Sequence, residues 1–122
     1  MINYPGTAER PSVHFDENKG LFEIKGKSTL KNPGMFYNPL IEWITIYCAN
    51  PKPETKVVIQ LDLFDTASSR FIEIILRKFQ PVHRANPNLV INWYYKDKDT
   101  LQAGEAYESL INIPFRFVEI ED

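Results

Sequence analysis

The chain is 122 residues long (14.2 kDa), carries a net charge of −2 at pH 7, and is 43% hydrophobic and 25% charged. Such a chain forms one domain with its own core, leaves roughly 6,800 Å² of surface by mass scaling, and is not disordered. The slightly acidic balance excludes general nucleic-acid binding, which needs a basic stripe to displace counterions.

Turn residues divide the sequence into short periodic segments. Val13–Asp16 and Leu21–Lys25 read as strands joined by Asp16-Glu17-Asn18-Lys19-Gly20. Gly26 to Gly34 is polar and punctuated, so it reads as a loop. Phe36, Leu40, Trp43, Ile44 and Tyr47 share one face of a helix that Asn50-Pro51-Lys52-Pro53 ends, with Pro39 expected near its first turn. Lys56–Phe64 is β-branched and almost continuously apolar, which suits a central parallel strand covered on both faces. Phe71, Ile72, Ile75, Leu76 and Phe79 then define a strongly amphipathic helix. Its other face carries Arg70, Glu73, Arg77 and Lys78, with Ile74 an apolar exception. Asn86-Pro87-Asn88 breaks the chain before a strand at Leu89–Tyr95, a helix at Asp99–Leu110 and a last strand at Pro114–Ile120. The order β-β-α-β-α-β-α-β places the chain in the α/β class. It predicts one domain over residues 1–122, with a mostly parallel sheet of four or five strands and about three helices.

Cys48 is the one cysteine, so no internal disulfide and no thiolate metal cluster is expected, and it reads as a small buried hydrophobe. His14 and His83 are not spaced as a ligand pair; His83, at a helix tail, either meets the last carbonyls or faces solvent. The N-terminus lacks the pattern of a signal peptide, and no apolar run approaches the roughly 20 residues that span a bilayer. A cytoplasmic protein without membrane insertion is expected.

Chemistry is best placed at Asp65-Thr66-Ala67-Ser68-Ser69, which joins the most buried strand to the most amphipathic helix. Open α/β sheets gather ligands at this edge, and a helix N-terminus favours a phosphate. One reading is capping alone, by Asp65, Thr66 or Ser68. Three hydroxyls in four residues exceed what one cap requires, which keeps a functional reading open. Asp62 and Asp65 invite a Mg²⁺ or small-molecule site at the strand edge. Residues three apart on an extended strand point to opposite faces, however, so the pair converges only if the turn begins early. Trp93-Tyr94-Tyr95-Lys96 could stack on single-stranded nucleic acid or simply fill the space between sheet and helices. Asp97, Asp99 and Glu105 read as a helix N-cap and a solvated face.

The segment Leu63-Phe64-Asp65-Thr66-Ala67-Ser68-Ser69-Arg70, followed by Phe71-Ile72-Glu73-Ile74-Ile75-Leu76, resembles the central motif of the SiaC family of bacterial regulatory phosphoproteins. Three further blocks agree in order along nearly the whole chain. They are Pro5-Gly6-Thr7 with Pro11-Ser12-Val13 and Ile24-Lys25-Gly26-Lys27-Ser28; Phe36-Tyr37-Asn38-Pro39 with Trp43; and Trp93-Tyr94-Tyr95 with Ala103-Gly104-Glu105 and Ile113-Pro114-Phe115. The resemblance implies a fold like the STAS domain of anti-sigma-factor antagonists and a partner-switching protein, not an enzyme, with no cofactor. It implies a protein kinase, a PP2C-type phosphatase and an effector bound by the unmodified form, in the family a diguanylate cyclase. The phosphoacceptor aligns with Thr66, with Ser68 and Ser69 as alternates. The sequence departs from the family pattern at Asp65, where Asn is common, and at Ala67, where Ser is common. Asp65-Thr66 is similar to the Asp-Ser pair of STAS antagonists.

A phosphate on Thr66 adds about −1.5 to −2 charges, which the helix N-terminus partly stabilises and Asp65 repels. Little refolding is required, so the effect is expected on a partner docked over Asp65, Ser69, Arg70, Glu73, Ile74 and Arg77. Ile74, apolar among charges, is the expected contact anchor or a helix-edge residue touching the preceding loop.

Overall fold

The predicted hairpin forms because Asp16 Oδ1 accepts from the N–H groups of Asn18 and Lys19, while Gly20 adopts a left-handed φ of 64°. A Cβ at Gly20 would lie 2.2 Å from the Glu54 carbonyl oxygen, so the turn also seats the chain entering the next strand. The computed structural model describes residues 1–121. Its elements are β1 (Ile2–Tyr4), β2 (Ser12–Asp16), β3 (Leu21–Ser28), α1 (Pro33–Ala49), β4 (Lys56–Phe64), α2 (Thr66–Lys78), α3 (Gln80–Ala85), β5 (Ile91–Tyr95), α4 (Lys98–Ile111) and β6 (Phe115–Glu119).

The sheet has six strands in chain order. β1, β2 and β3 pair antiparallel, whereas β3, β4, β5 and β6 pair parallel. Among the described residues, six strands and four helices replace the expected four or five strands and about three helices. The additions are β1, three residues long and too short for a period to show, and α3, whose Pro81 falls where a helix tolerates proline. The expected loop from Gly26 to Gly34 is also shorter, since β3 runs on to Ser28 and α1 starts at Pro33. Pro33 opens the helix, so Pro39 lies in the second turn rather than near the first. The buried stripe of α1 is Tyr37, Leu40, Ile44 and Tyr47, with Phe36 and Trp43 only half-buried.

Strand order never reverses, so crossovers of one hand place every helix on one face of the sheet. One core forms between them, with Phe22, Val57, Ile91 and Phe115 in one cross-sheet row and Ile24, Ile59, Trp93 and Phe117 in the next. Glu23, Val58, Asn92 and Arg116 form the row between, on the helix-free face. Val58 lies there outside the core cluster, and Asn92 Nδ2 donates to the Val57 carbonyl at 3.1 Å. The apolar run of β4 is therefore not that of a strand covered by helices on both faces.

Part of that run comes from a bulge. Opposite Gly26 and Lys27 the register passes from Leu61 to Leu63, leaving Asp62 unpaired with β3. Gly26 takes a φ of 120°, open to glycine, at this point. The extra residue turns Leu63 outward, 55% exposed, and brings Phe64 against the core, beside the Trp93 ring. The total exposed surface, 7007 Å², agrees with mass scaling.

Candidate functional site

The turn from β4 to α2 is held from three directions. Locally, Asp65 is extended at the N-cap and its Oδ1 accepts from the Ser68 N–H at 2.8 Å. From β3, the Ser28 carbonyl accepts from the Asp65 N–H at 3.2 Å. From the flanking helices, two buried tyrosines reach the first helical turn. Ser28 Oγ donates to Ser68 Oγ at 2.8 Å, and Tyr37 Oη of α1 lies 2.5 Å from Ser28 Oγ. Since the Ser28 proton goes to Ser68, Tyr37 donates to Ser28. On the other side Tyr107 Oη of α4 donates to the Ser69 carbonyl at 2.8 Å and lies 2.6 Å from Ser69 Oγ, which donates to it. Burial pushes both phenols up to about 12. Phe71 stacks on Tyr37 at a centroid distance of 5.4 Å and completes the α1 side.

The three hydroxyls of the motif therefore have different surroundings. Ser68 is fully buried and Ser69 is half-buried against Tyr107, whereas Thr66 is exposed. Its hydroxyl has no hydrogen-bond partner among the described residues. The cap is Asp65 alone, so Thr66 and Ser68 do not share that task.

Thr66 stands between two hollows. One, of about 460 Å³, is lined by Asp62, Asp65, Thr66, Ser69, Asp97 and Asp99 among others, and by no basic side chain. The bulge at Asp62 is what lets Asp62 and Asp65 share it, so the alternation of a regular strand does not apply. Their carboxylates already have partners: Asp65 caps α2, and Asp62 lies 3.9 Å from Lys96 Nζ. Asp97 caps α4, and its bonds from the Thr100 backbone and then the Thr100 hydroxyl hold its carboxyl below the usual carboxylate range. No group of three or more metal-ligating side chains assembles among the described residues. The second hollow, about 570 Å³, is an apolar groove lined by Thr66, Ala67, Arg70, Phe71 and Ile74.

The remaining expected contact residues spread around α2. Arg70 is exposed, Ile74 is 41% exposed in the groove, and Glu73 and Arg77 pair at 2.9 Å, with Arg77 also reaching the Leu110 carbonyl. Ser69 instead faces α4. Trp93 is fully buried, donates to the Thr100 carbonyl at 2.9 Å and cannot stack on a base. His83 Nδ1 lies 3.1 Å from the Leu89 carbonyl. Cys48 is half-buried, its thiol pushed up to about 11 by burial. Tyr37, Tyr107 and the bridging role of Ser28 are not evident from the sequence; the one signal was the surplus of hydroxyls after Asp65.

The structure is similar to SiaC of Pseudomonas aeruginosa, with a TM-score of 0.87 and 19% identity over 98% of both chains. It also matches a chain in the crystal structure of the diguanylate cyclase SiaD in complex with its activator SiaC from the same organism. There the TM-score is 0.89 at 19% identity, over 98% of this chain and 100% of that one. An uncharacterised protein of Pseudomonas aeruginosa strain UCBPP-PA14 is 20% identical over 116 residues, 93% of this chain and 92% of that protein. The profile of the SiaC family regulatory phosphoproteins matches residues 4–120. Spanning nearly the whole sequence, that match places the chain in the SiaC family.

Proposed function

We propose that this chain is a phosphorylation-controlled partner-switching regulator of the cytoplasm, a binding protein rather than an enzyme. Unmodified, it binds and activates an effector such as a diguanylate cyclase, the enzyme SiaC accompanies in the related complex. A kinase phosphorylates Thr66 and ends that binding; a PP2C-type phosphatase restores it, as in the partner switching of STAS-like antagonists. One observation carries the reading: of the three hydroxyls in the motif, Thr66 alone is exposed and uncommitted, on a turn held by buried groups.

The electrostatics give the switch its direction. A phosphate on Thr66 sits at the start of α2, where the N–H groups of the first turn favour it. The neighbouring hollow opposes it with the carboxylates of Asp65, Asp97 and Asp99, while Asp62 there is paired with Lys96. The charge therefore faces outward, at the edge of the groove formed by Ala67, Arg70, Phe71 and Ile74. An effector burying that groove would have to desolvate the phosphate, which disfavours docking without refolding the chain. Asp65, in the acidic hollow, and the Glu73–Arg77 pair on α2 would meet the same partner at its margin, and Ser69 acts through its bonds to Tyr107.

Thr66→Ala tests the reading, with the protein and its bound partners purified from native cells. The variant is expected to melt like the original, within about 0.5 kcal/mol, because its hydroxyl holds nothing. It is expected to retain its effector under conditions in which the original chain releases it. Loss of the fold would reduce Thr66 to a structural residue, and release of the effector by both proteins alike would remove the switch.

A further inference from the structure

We infer that Tyr37 and Tyr107 are positioning residues for modification of Thr66: their hydroxyls hold the first turn of α2 in the geometry that the kinase recognises. This deepens the reading above and rests on it. Thr66 is the first residue of α2, so its backbone is helical at the point where its hydroxyl is exposed. The turn that carries it is not left to fray, as helix ends commonly do. Ser68 is tied through Ser28 to Tyr37, at 2.8 and 2.5 Å, and Ser69 makes two bonds to Tyr107, at 2.6 and 2.8 Å. Neither tyrosine touches Thr66 in these bonds. Both are anchored in helices on either side, Tyr37 fully buried in α1 and Tyr107 beside Trp93 in α4. A cap needs none of this, since Asp65 already provides it.

The clamp makes Thr66 a fixed surface feature rather than part of a pliable segment. An enzyme that takes its substrate as an extended peptide would have to unwind the turn first, whereas one that docks on the folded surface finds the hydroxyl in place. The recognising partner is therefore a kinase that reads the folded turn, and a turn set free should be a poorer substrate for it.

Tyr37→Phe and Tyr107→Phe keep the rings and delete the hydroxyls. Tyr47→Phe is the matched control, since Tyr47 is also buried and bonds Thr55 and Lys52, away from α2. Two readouts follow. Amide exchange over residues 67–71 is expected to rise about tenfold in the two clamp variants, while that of β4 and of the control stays unchanged. With extract of the native cells and Mg-ATP as the kinase source, phosphate gained at Thr66 is read by mass spectrometry. It should fall about tenfold in both clamp variants and stay level in Tyr47→Phe. If either variant fails to fold, Ser69→Ala, which removes one clamp bond, takes its place with a smaller loss expected. Wild type labelled at Thr66 with clamp variants labelled equally fast would overturn the positioning role and leave the switch intact. Equal loss in Tyr47→Phe would reduce the effect to general stability and overturn it too. Wild type that gains no phosphate at Thr66 would overturn the switch and, with it, this inference.

Discussion

Two strand-to-helix turns lie at the same edge of the sheet, and they share a cap but not a purpose. Asp65-Thr66-Ala67-Ser68 leads into α2 and Asp97-Lys98-Asp99-Thr100 into α4. In both, an aspartate accepts from the N–H of the third helical residue at 2.8 Å, and that residue carries a hydroxyl. In α4 the Thr100 hydroxyl returns to its own cap and completes a capping box, so that hydroxyl is satisfied within the turn, and the Trp93 indole ties the turn to the core only through the Thr100 carbonyl. In α2 the Ser68 hydroxyl turns away from its cap and into the protein, where it accepts from Ser28, itself bonded to Tyr37, and Ser69 turns likewise towards Tyr107. The first helical residue is a lysine in one turn and an exposed threonine in the other. A helix start needs only the α4 arrangement. What α2 adds to it, two hydroxyls bonded inward and one displayed outward, is the arrangement that the proposed modification of Thr66 requires.

Charge placement separates the turns most sharply. Ser68→Asp puts a carboxylate among buried hydroxyls and should cost at least about 3 kcal/mol in urea unfolding, whereas Thr66→Asp should cost under about 0.5 kcal/mol. Equal costs would erase the distinction between anchor and acceptor.

Alkaline pH acts next, and on the α2 turn in particular. Burial raises Tyr37 and Tyr107 from 10 in the unfolded chain to about 12. The folded state thus keeps protons that the unfolded chain gives up, so the stability linked to them is complete below pH 10 and is lost as pH rises to 12. About 2 kcal/mol per tyrosine is at stake. Melting followed from pH 9 to 12 should show the decline, with amides 67–71 loosening before amides 99–103, and Tyr107→Phe should flatten it. A smaller effect is expected at the caps. Asp65→Ala and Asp97→Ala should each cost about 1 kcal/mol by thermal melting, because both make the same bond to a third helical residue.

The sequence carried the α/β alternation, the position of the turn and the exposed face of α2, because those rest on periodicity and on residues next to one another. It did not carry the count of strands, since three residues at Ile2–Tyr4 have no period to detect. The bulge at Asp62 broke the alternation that would have kept Asp62 and Asp65 apart. The topological argument for a ligand crevice also needs a reversal of strand order, which this sheet lacks. Tyr37 sat one position from the face assigned to α1, next to Phe36, and Tyr107 belonged to a helix with no evident role. Both meet the turn through contacts 38 residues or more away in sequence or through a bridging serine, beyond the reach of local pattern. The surplus of hydroxyls was legible; its division into two that bond inward and one that stays exposed was a matter of tertiary structure.

That division is tested most directly by phosphosite mass spectrometry on the protein isolated from its native cells, with and without phosphatase treatment. Phosphate on Thr66, removed by the phosphatase, with none on Ser68 or Ser69, is the result expected of one exposed hydroxyl beside two that are bonded inward. Phosphate on Ser68 or Ser69 in its place, or none at any of the three across several growth conditions, would contradict it.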